Sequence, residues 1–120
     1  MANSTRPAGW PKSLPPASTA EFEQRVGPWL LDRCPPETRA SEALKAHNTV
    51  LAGIALAHTH AALEALRDVY RNARVSVLVD LEPKAAAAVL TELEALGARL
   101  AVENREVGLV ATVLGLETGH

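Results

Sequence analysis

Three arginines at helical spacing are the residues in this 120-residue chain that could most readily bind a charged partner. Arg67, Arg71 and Arg74 stand at positions i, i+4 and i+7, which aligns them along one side of a helix, and Tyr70 lies beside them. Guanidinium groups bind phosphates and carboxylates through paired hydrogen bonds. The arginine line, defined as Arg67, Arg71 and Arg74, therefore predicts a contact with phosphate groups or with an acidic protein.

Acidic residues interleave with the arginine line and allow a second interpretation. Glu64 and Asp68 stand at salt-bridge spacing from the arginines, so the line can equally be a solvated, internally paired surface. Aromatic residues make up 3% of the chain, which leaves little for base stacking. The formal net charge of −2 excludes a strongly basic protein that wraps nucleic acid.

The histidines are spaced badly for metal binding. His58 and His60 lie two residues apart, which on a helix separates their side chains by about 200°. His47 and His58 share a helix face, but about 16 Å of helix axis lies between them, too far for one metal ion. A partly buried, hydrogen-bonded His58 is the simpler expectation. The sequence predicts no metal and no cofactor.

Two further positions could carry chemistry but have plain structural interpretations. Asp80 and Glu82 follow an expected strand, where ligands often bind, yet capping of the next helix explains them as well. Cys34 is the single cysteine, and it could be a nucleophile if a histidine approached it in space. A passive side chain near a helix end is the alternative for Cys34. Nucleophile-elbow, phosphate-loop and dinucleotide motifs are absent from the sequence.

The N-terminal part of the chain divides into an arm and a helix. Residues 1–18 are rich in proline and predict an extended arm, in which Trp10 could pack on the domain or anchor a partner. A cap at Ser18 or Thr19 begins a helix that ends at Arg33, before two prolines. Its apolar residues recur at helical spacing, and these are Phe22, Val26, Trp29 and Leu30.

A long amphipathic helix follows within residues 37–72, either as one helix or as a short helix running into a long one. Its apolar side is wider than one stripe, because Ile54, Leu56 and Leu63 extend it. Such a width indicates burial on two sides, by the domain's own sheet and by another helix or subunit.

The C-terminal part reads as a βαββ unit within residues 75–115. Apolar and polar residues alternate over residues 75–81, a helix is expected over 83–96 with Gly97 after its last turn, and further strands are expected at 100–102 and 107–114. Asn104 and Arg105 would form the tight turn. Val110 would lie at the centre of strand three, in a mixed three-stranded sheet of order 1-3-2.

Together these patterns predict an α+β fold with one domain over residues 19–120, helical over 19–72 and βαββ over 75–115. The lone cysteine and the lack of a long apolar run favour a cytoplasmic protein without membrane contact. The bias toward Ala, Leu and Arg resembles bacterial composition. We expect a non-enzymatic interaction or regulatory module that forms homodimers or larger oligomers; the alternative is a nucleic-acid-associated protein that uses the arginine line.

Overall fold

The computed structural model describes residues 6–76 and 78–116, apart from the side chain of Arg74. In chain order the α-helices of these residues are α1 (Ala20–Leu31), α2 (Glu42–Lys45), α3 (Asn48–Ser76) and α4 (Pro83–Val113). Short 3-10 helices cover Pro36–Ala40 and Leu78–Asp80. The described part of the chain contains no β-strand.

Helices α3 and α4 form a long antiparallel hairpin that determines the shape of the molecule. They contain 29 and 31 residues, and the described chain measures 54 × 34 × 26 Å along its principal axes. Asn104 of α4 donates a hydrogen bond from Nδ2 to Thr59 Oγ1 of α3 at 2.9 Å. Nearer the connection, Tyr70 Oη donates to Glu94 Oε2 at 2.9 Å. These two contacts fix the register of α3 against α4.

The hydrophobic core lies at the end of the hairpin away from its connection, where α1 packs on α3 and shares one core with α4. Thr19 caps α1 by accepting a hydrogen bond from the backbone N–H of Phe22 at 3.2 Å. All four apolar residues predicted for the buried side of α1 are buried, and the helix continues through Gly27 and Pro28. Their partners in the core are Leu51, Ala52 and Ala55 of α3 and Val107, Val110 and Ala111 of α4.

Residues 6–18 fold back onto α1 through three tight turns, closed by backbone hydrogen bonds from Trp10 to Pro7, from Leu14 to Pro11 and from Thr19 to Pro16. Trp10 packs against Phe22 with ring centroids 5.8 Å apart, and its Nε1 donates to the carbonyl of Pro15 at 3.1 Å. Trp29 Nε1 donates to Ser13 Oγ at 2.7 Å. Because an indole N–H needs a partner when its ring is buried, these bonds let both tryptophans enter the core.

The predicted α+β fold is wrong, because the region assigned to the βαββ unit is helical. Residues 75 and 76 end α3, Leu78–Asp80 is a 3-10 helix, and α4 runs without interruption through the expected strands two and three. Val77, also assigned to strand one, lies outside the described residues. Neither the three-stranded sheet nor its 1-3-2 order exists in the described chain.

Tertiary packing explains why a valine-rich segment is helical. Valine has a lower helix propensity than alanine by only a few tenths of a kcal/mol, up to about 0.7. Val107, Val110, Ala111 and Leu114 recur at spacings of three and four and bury one side of α4 in the core. A segment that is apolar over eight residues fits a buried helix as well as a buried strand.

The glycine that ends α4 is Gly115 rather than Gly97. Gly115 has φ +96°, in the left-handed region, and its N–H bonds to the carbonyl of Thr112 while that of Leu116 bonds to Ala111. This pair of bonds is the Schellman motif. Gly97 instead continues the helix at the place where α4 packs on Leu66, and a Cβ there would lie 3.6 Å from Leu66 Cδ2.

Helix α3 meets the length and hydropathy requirements of a membrane span over Asn48–Ala73, the only such stretch among the described residues. The evidence is weak, since core helices of soluble proteins meet the same requirements. The sequence-based expectation of a cytoplasmic protein without membrane contact stays a prediction.

Candidate interaction surface

A contact between Arg33 and Glu103 marks where α1 stops covering the hairpin. The Arg33 guanidinium stacks over the Trp29 ring, 3.8 Å from its centroid, and its Nε lies 3.7 Å from Glu103 Oε2. Beyond this point the hairpin has no described helix beside it. We call this part, residues 62–76 and 78–102, the distal arm.

The distal arm exposes large apolar side chains, whereas such side chains are buried at the core end of the hairpin. From Pro83 to Glu106, α4 contains no buried residue. Val69 of α3 is 49% exposed, and Leu96 and Val102 of α4 are 37% and 43% exposed. Two packed helices cannot bury apolar stripes wider than their mutual contact, so a third element is needed to cover the remainder.

One side of the distal arm continues the surface that α1 covers in the core. On α4, Val89, Leu96 and Leu100 are in helical phase with the buried Val107, at separations of seven and four residues. On α3, Ala62 and Val69 are in the same phase as the buried Ala55. We define the open face by its apolar residues: Ala62, Ala65, Val69, Val89, Leu96 and Leu100.

Charged residues border the open face along α4. Glu92 and Arg99 line a shallow depression together with Ala88, Val89, Leu93 and Leu96. Both charged side chains are exposed, and neither forms an ion pair with another described residue.

Arg67 and Arg71 of the arginine line lie on the side of the distal arm opposite the open face. Arg67 Nη1 pairs with Glu64 Oε2 at 2.7 Å, and Arg71 pairs with Asp68. Each pair joins residues three apart on α3, in the manner that the interleaved acids predict. A second depression between the helices brings these arginines and Tyr70 together, and it is lined by Leu66, Arg67, Tyr70, Arg71, Leu93, Glu94 and Gly97. The Arg74 side chain lies outside the described residues.

Trp10, the predicted partner anchor, lies in the chain's own core. It is 5% exposed and is held by its hydrogen bond to Pro15 and its contact with Phe22. Of the two sequence-based interpretations of this ring, the structure places it on the domain.

The other candidate residues do not converge. His58 is exposed rather than partly buried, as is His60. Glu82 occupies the N-cap of α4, but its side chain makes no capping hydrogen bond. Among the described residues, no three His, Cys, Asp or Glu side chains lie close enough together to hold a metal ion.

Cys34 lies in the core beside the start of α3. Its Sγ donates a weak hydrogen bond to the carbonyl of Leu51 at 3.5 Å. Burial raises the pKa of the Cys34 thiol, and the Arg39 guanidinium opposes this by a smaller amount. A protonated, buried thiol is a poor nucleophile, so the geometry fits a packing role for Cys34.

Comparison with known proteins finds no matching family model, no matching curated protein and no matching solved structure.

The sequence pointed to excess apolar surface on the long helix but did not locate the open face. Half of that face belongs to α4, whose seven-residue recurrence from Val89 to Leu96 is visible in the sequence. The strands predicted at residues 100–102 and 107–114 conceal the continuation of this apolar stripe to Val107.

Proposed function

We propose that this protein is a non-enzymatic, self-associating interaction module whose distal arm forms a four-helix bundle with that of a second copy. The observation that carries the proposal is the open face, a continuous apolar surface that leaves the core and has no cover in the described chain. In this arrangement the second copy takes the place beyond Arg33 that α1 occupies in the core.

Burial of the open face would supply the driving force for association. Removing apolar surface from water contributes about 25 cal/mol per Å², and stable dimers of standard size bury about 1,600 Å² in total. Two helices that each expose an apolar stripe gain this burial efficiently by pairing with two more, as four-helix bundles do.

The ion pairs of the described arginines argue against the nucleic-acid alternative. Arg67 and Arg71 already pair with acidic neighbours on α3. A phosphate would have to displace these carboxylates, and the interleaved acids reduce the local positive potential.

Light scattering of the purified protein tests the proposal. We expect the mass of a dimer at tens of micromolar, and a monomer for Val69→Asp, because the charge falls in the apolar interface. Val75→Asp is the matched control: Val75 lies on the same helix, is 76% exposed and, six residues from Val69, stands about 120° from it around the helix. This control should remain a dimer, and circular dichroism should show the same helix content for all three proteins.

Two results would overturn the proposal. A wild-type monomer at several hundred micromolar would exclude self-association as the function. A wild-type dimer that persists in Val69→Asp would show that association uses another surface.

A further inference from the structure

The end of the hairpin that carries the core also carries a groove, which we call the back groove. Residues of α3 and α4 line it, together with Ala8 and Gly9 of the N-terminal segment and Leu116 after α4. Its volume is about 830 Å³, within the range of about 300 to 1,000 Å³ that is typical of small-molecule sites. Such sites combine a mostly apolar lining with a few polar groups that orient the ligand.

The back groove and the open face lie on different sides of the hairpin. Gly53 of the groove follows the buried Leu51 by two residues, and Arg105 precedes the buried Val107 by two. Two residues correspond to about 200° around a helix, so each groove residue points away from the core. A ligand in the back groove therefore competes neither with α1 nor with a second copy on the open face.

Arg105 and His60 form the polar end of the back groove. Asn104 donates to Thr59 across the hairpin at 2.9 Å, so the residues that follow them, Arg105 and His60, lie at one level on the two helices. Both side chains are exposed, and Arg105 forms no ion pair with another described residue. A guanidinium donates paired, charge-assisted hydrogen bonds to a carboxylate, and an imidazole N–H beside it can donate another. This end of the groove fits an anionic oxygen group.

The rest of the back groove is apolar and long. From His60 to Gly53, α3 covers seven residues, about 10.5 Å along its axis. Gly53 lies beside Leu116, because a Cβ on Gly53 would be 4.0 Å from Leu116 Cδ2. On α4, Gly108 leaves the floor open, and a Cβ there would lie 3.9 Å from Leu56 Cδ1. A narrow apolar channel with a cation at one end matches an alkyl chain that carries a negative head group.

We infer that the back groove binds an aliphatic carboxylate, with its carboxylate at Arg105 and His60 and its alkyl chain directed toward Leu116. Burial of methylene groups against the apolar lining supplies most of the affinity. The charge-assisted hydrogen bonds to Arg105 supply orientation and selectivity for an anion. An alkylammonium ion of the same length brings a positive charge to Arg105 and is rejected. This binding site goes beyond the proposed self-association and does not depend on it.

Isothermal titration calorimetry with straight-chain carboxylates tests the inference. We expect sodium decanoate to bind wild type with one ligand per chain, whereas decyltrimethylammonium bromide and sodium acetate should not bind at the same concentrations. From octanoate to dodecanoate the affinity should rise about two- to fourfold per methylene, because each added group reaches the apolar lining.

Two variants and a matched control locate the site. Arg105→Gln should weaken decanoate binding about tenfold, because the charged donor is lost. Gly108→Leu should abolish binding, since the new side chain fills the floor, and it should not lower the melting temperature, since leucine favours a helix more than glycine does. Lys84→Gln removes the same charge from the exposed first turn of α4, outside the groove, and should bind decanoate as wild type does.

The outcomes distinguish this inference from the proposed function. Failure of wild type to bind decanoate, or equal binding by wild type, Arg105→Gln and Gly108→Leu, would overturn the inference and leave self-association untouched. Equal binding of decyltrimethylammonium would remove the carboxylate as the ligand. Loss of the dimer in Gly108→Leu would show that the groove takes a second copy instead. Val69→Asp, which tests self-association, should bind decanoate with the wild-type affinity.

Discussion

Asn104 and Thr59 join the two long helices through a hydrogen bond in which Asn104 Nδ2 donates to Thr59 Oγ1 at 2.9 Å. The Thr59 hydroxyl also donates to the carbonyl of Ala55 at 2.9 Å, so its donor and one acceptor position are used. Thr59 is 2% exposed. The sequence assigned Asn104 to a tight turn, yet in the structure it fixes the register of α3 against α4.

Removing this contact should lower the stability of the fold. We expect Asn104→Ala to reduce the free energy of unfolding by about 1 to 2 kcal/mol, because the buried hydroxyl loses a partner that water cannot easily replace. Urea denaturation followed by circular dichroism measures the change. Asn72→Ala is the control: the Asn72 side chain donates to the carbonyl of Asp68 on its own helix at an exposed site, so the change should be within about 0.5 kcal/mol. Equal losses in both variants would show that the Asn104 contact has no special stabilising role.

The α1 region shows how much of the fold local sequence determines. Thr19 caps the helix and its four apolar residues are buried as the spacing predicts, because caps and a single apolar stripe are local features. The prolines at 35 and 36 similarly separate α1 from the helices that follow. The capping preference of threonine and the helix-breaking preference of proline do not depend on distant packing.

The secondary structure of the C-terminal half could not be predicted in the same way, since its apolar residues fit both the strand period and the helix period. Val107 and Val110 fit a strand by residue type and a helix by spacing, and packing in the core shared with α1 and α3 decides between them. Gly97 is a residue type that often follows the last turn of a helix, but it packs on Leu66 inside α4. The candidate site shows the same division between local spacing and tertiary packing. The spacing of Arg67 and Arg71 places them on one side of a helix. The open face is defined by where α1 ends, which the sequence pattern does not show.

Trp10 should contribute strongly to stability. We expect Trp10→Ala to reduce the free energy of unfolding by about 3 to 5 kcal/mol, because it empties a site in the core and removes the contact with Phe22. Trp10→Phe should cost less, since it keeps most of the apolar volume and loses the hydrogen bond to Pro15. Thermal melts of both variants measure the difference. A melting temperature unchanged in Trp10→Ala would contradict the docked position of residues 6–18.

Val110 should be intolerant of charge although it lies in a helix rather than a strand. It is completely buried, so Val110→Asp places an unpaired carboxylate in the core, and we expect the domain to be unfolded at neutral pH. Val113→Asp is the matched control one turn further along α4, where the side chain is 45% exposed, and it should stay folded. Circular dichroism distinguishes the two. A folded Val110→Asp would place Val110 outside the core.

Cys34 should make stability fall at alkaline pH. Burial in the folded chain raises the thiol pKa above its ordinary value of 9.0, so between that value and the raised one the unfolded chain ionises first. The contribution is therefore complete below pH 9.0 and is lost as pH rises through the folded pKa. The difference in unfolding free energy between wild type and Cys34→Ala, measured from pH 7 to 10, should shrink as pH rises. A constant difference would mean that the pKa of the thiol is the same in both states.

The arginine line should not bind nucleic acid. With Arg67 and Arg71 paired to acidic neighbours, we expect no binding of labelled duplex or single-stranded DNA at about 50 mM salt, where non-specific attraction to phosphates is already strong. Fluorescence anisotropy measures this directly. Binding that weakens steeply with salt would instead support the nucleic-acid alternative.

Charge reversal would then decide whether such binding uses the arginine line. Each lost phosphate contact reduces the logarithmic salt slope by about 0.7 to 0.9, so changing Arg67, Arg71 and Arg74 to Glu should flatten it by roughly two units. The matched control changes Lys12, Arg25 and Lys84 to Glu, which alters the net charge equally at exposed sites elsewhere. If only the arginine-line variant loses binding, the ion pairs on α3 open to receive phosphates, and the distal arm has two binding sides. If both variants lose binding equally, the attraction is to the overall charge of the protein and identifies no site.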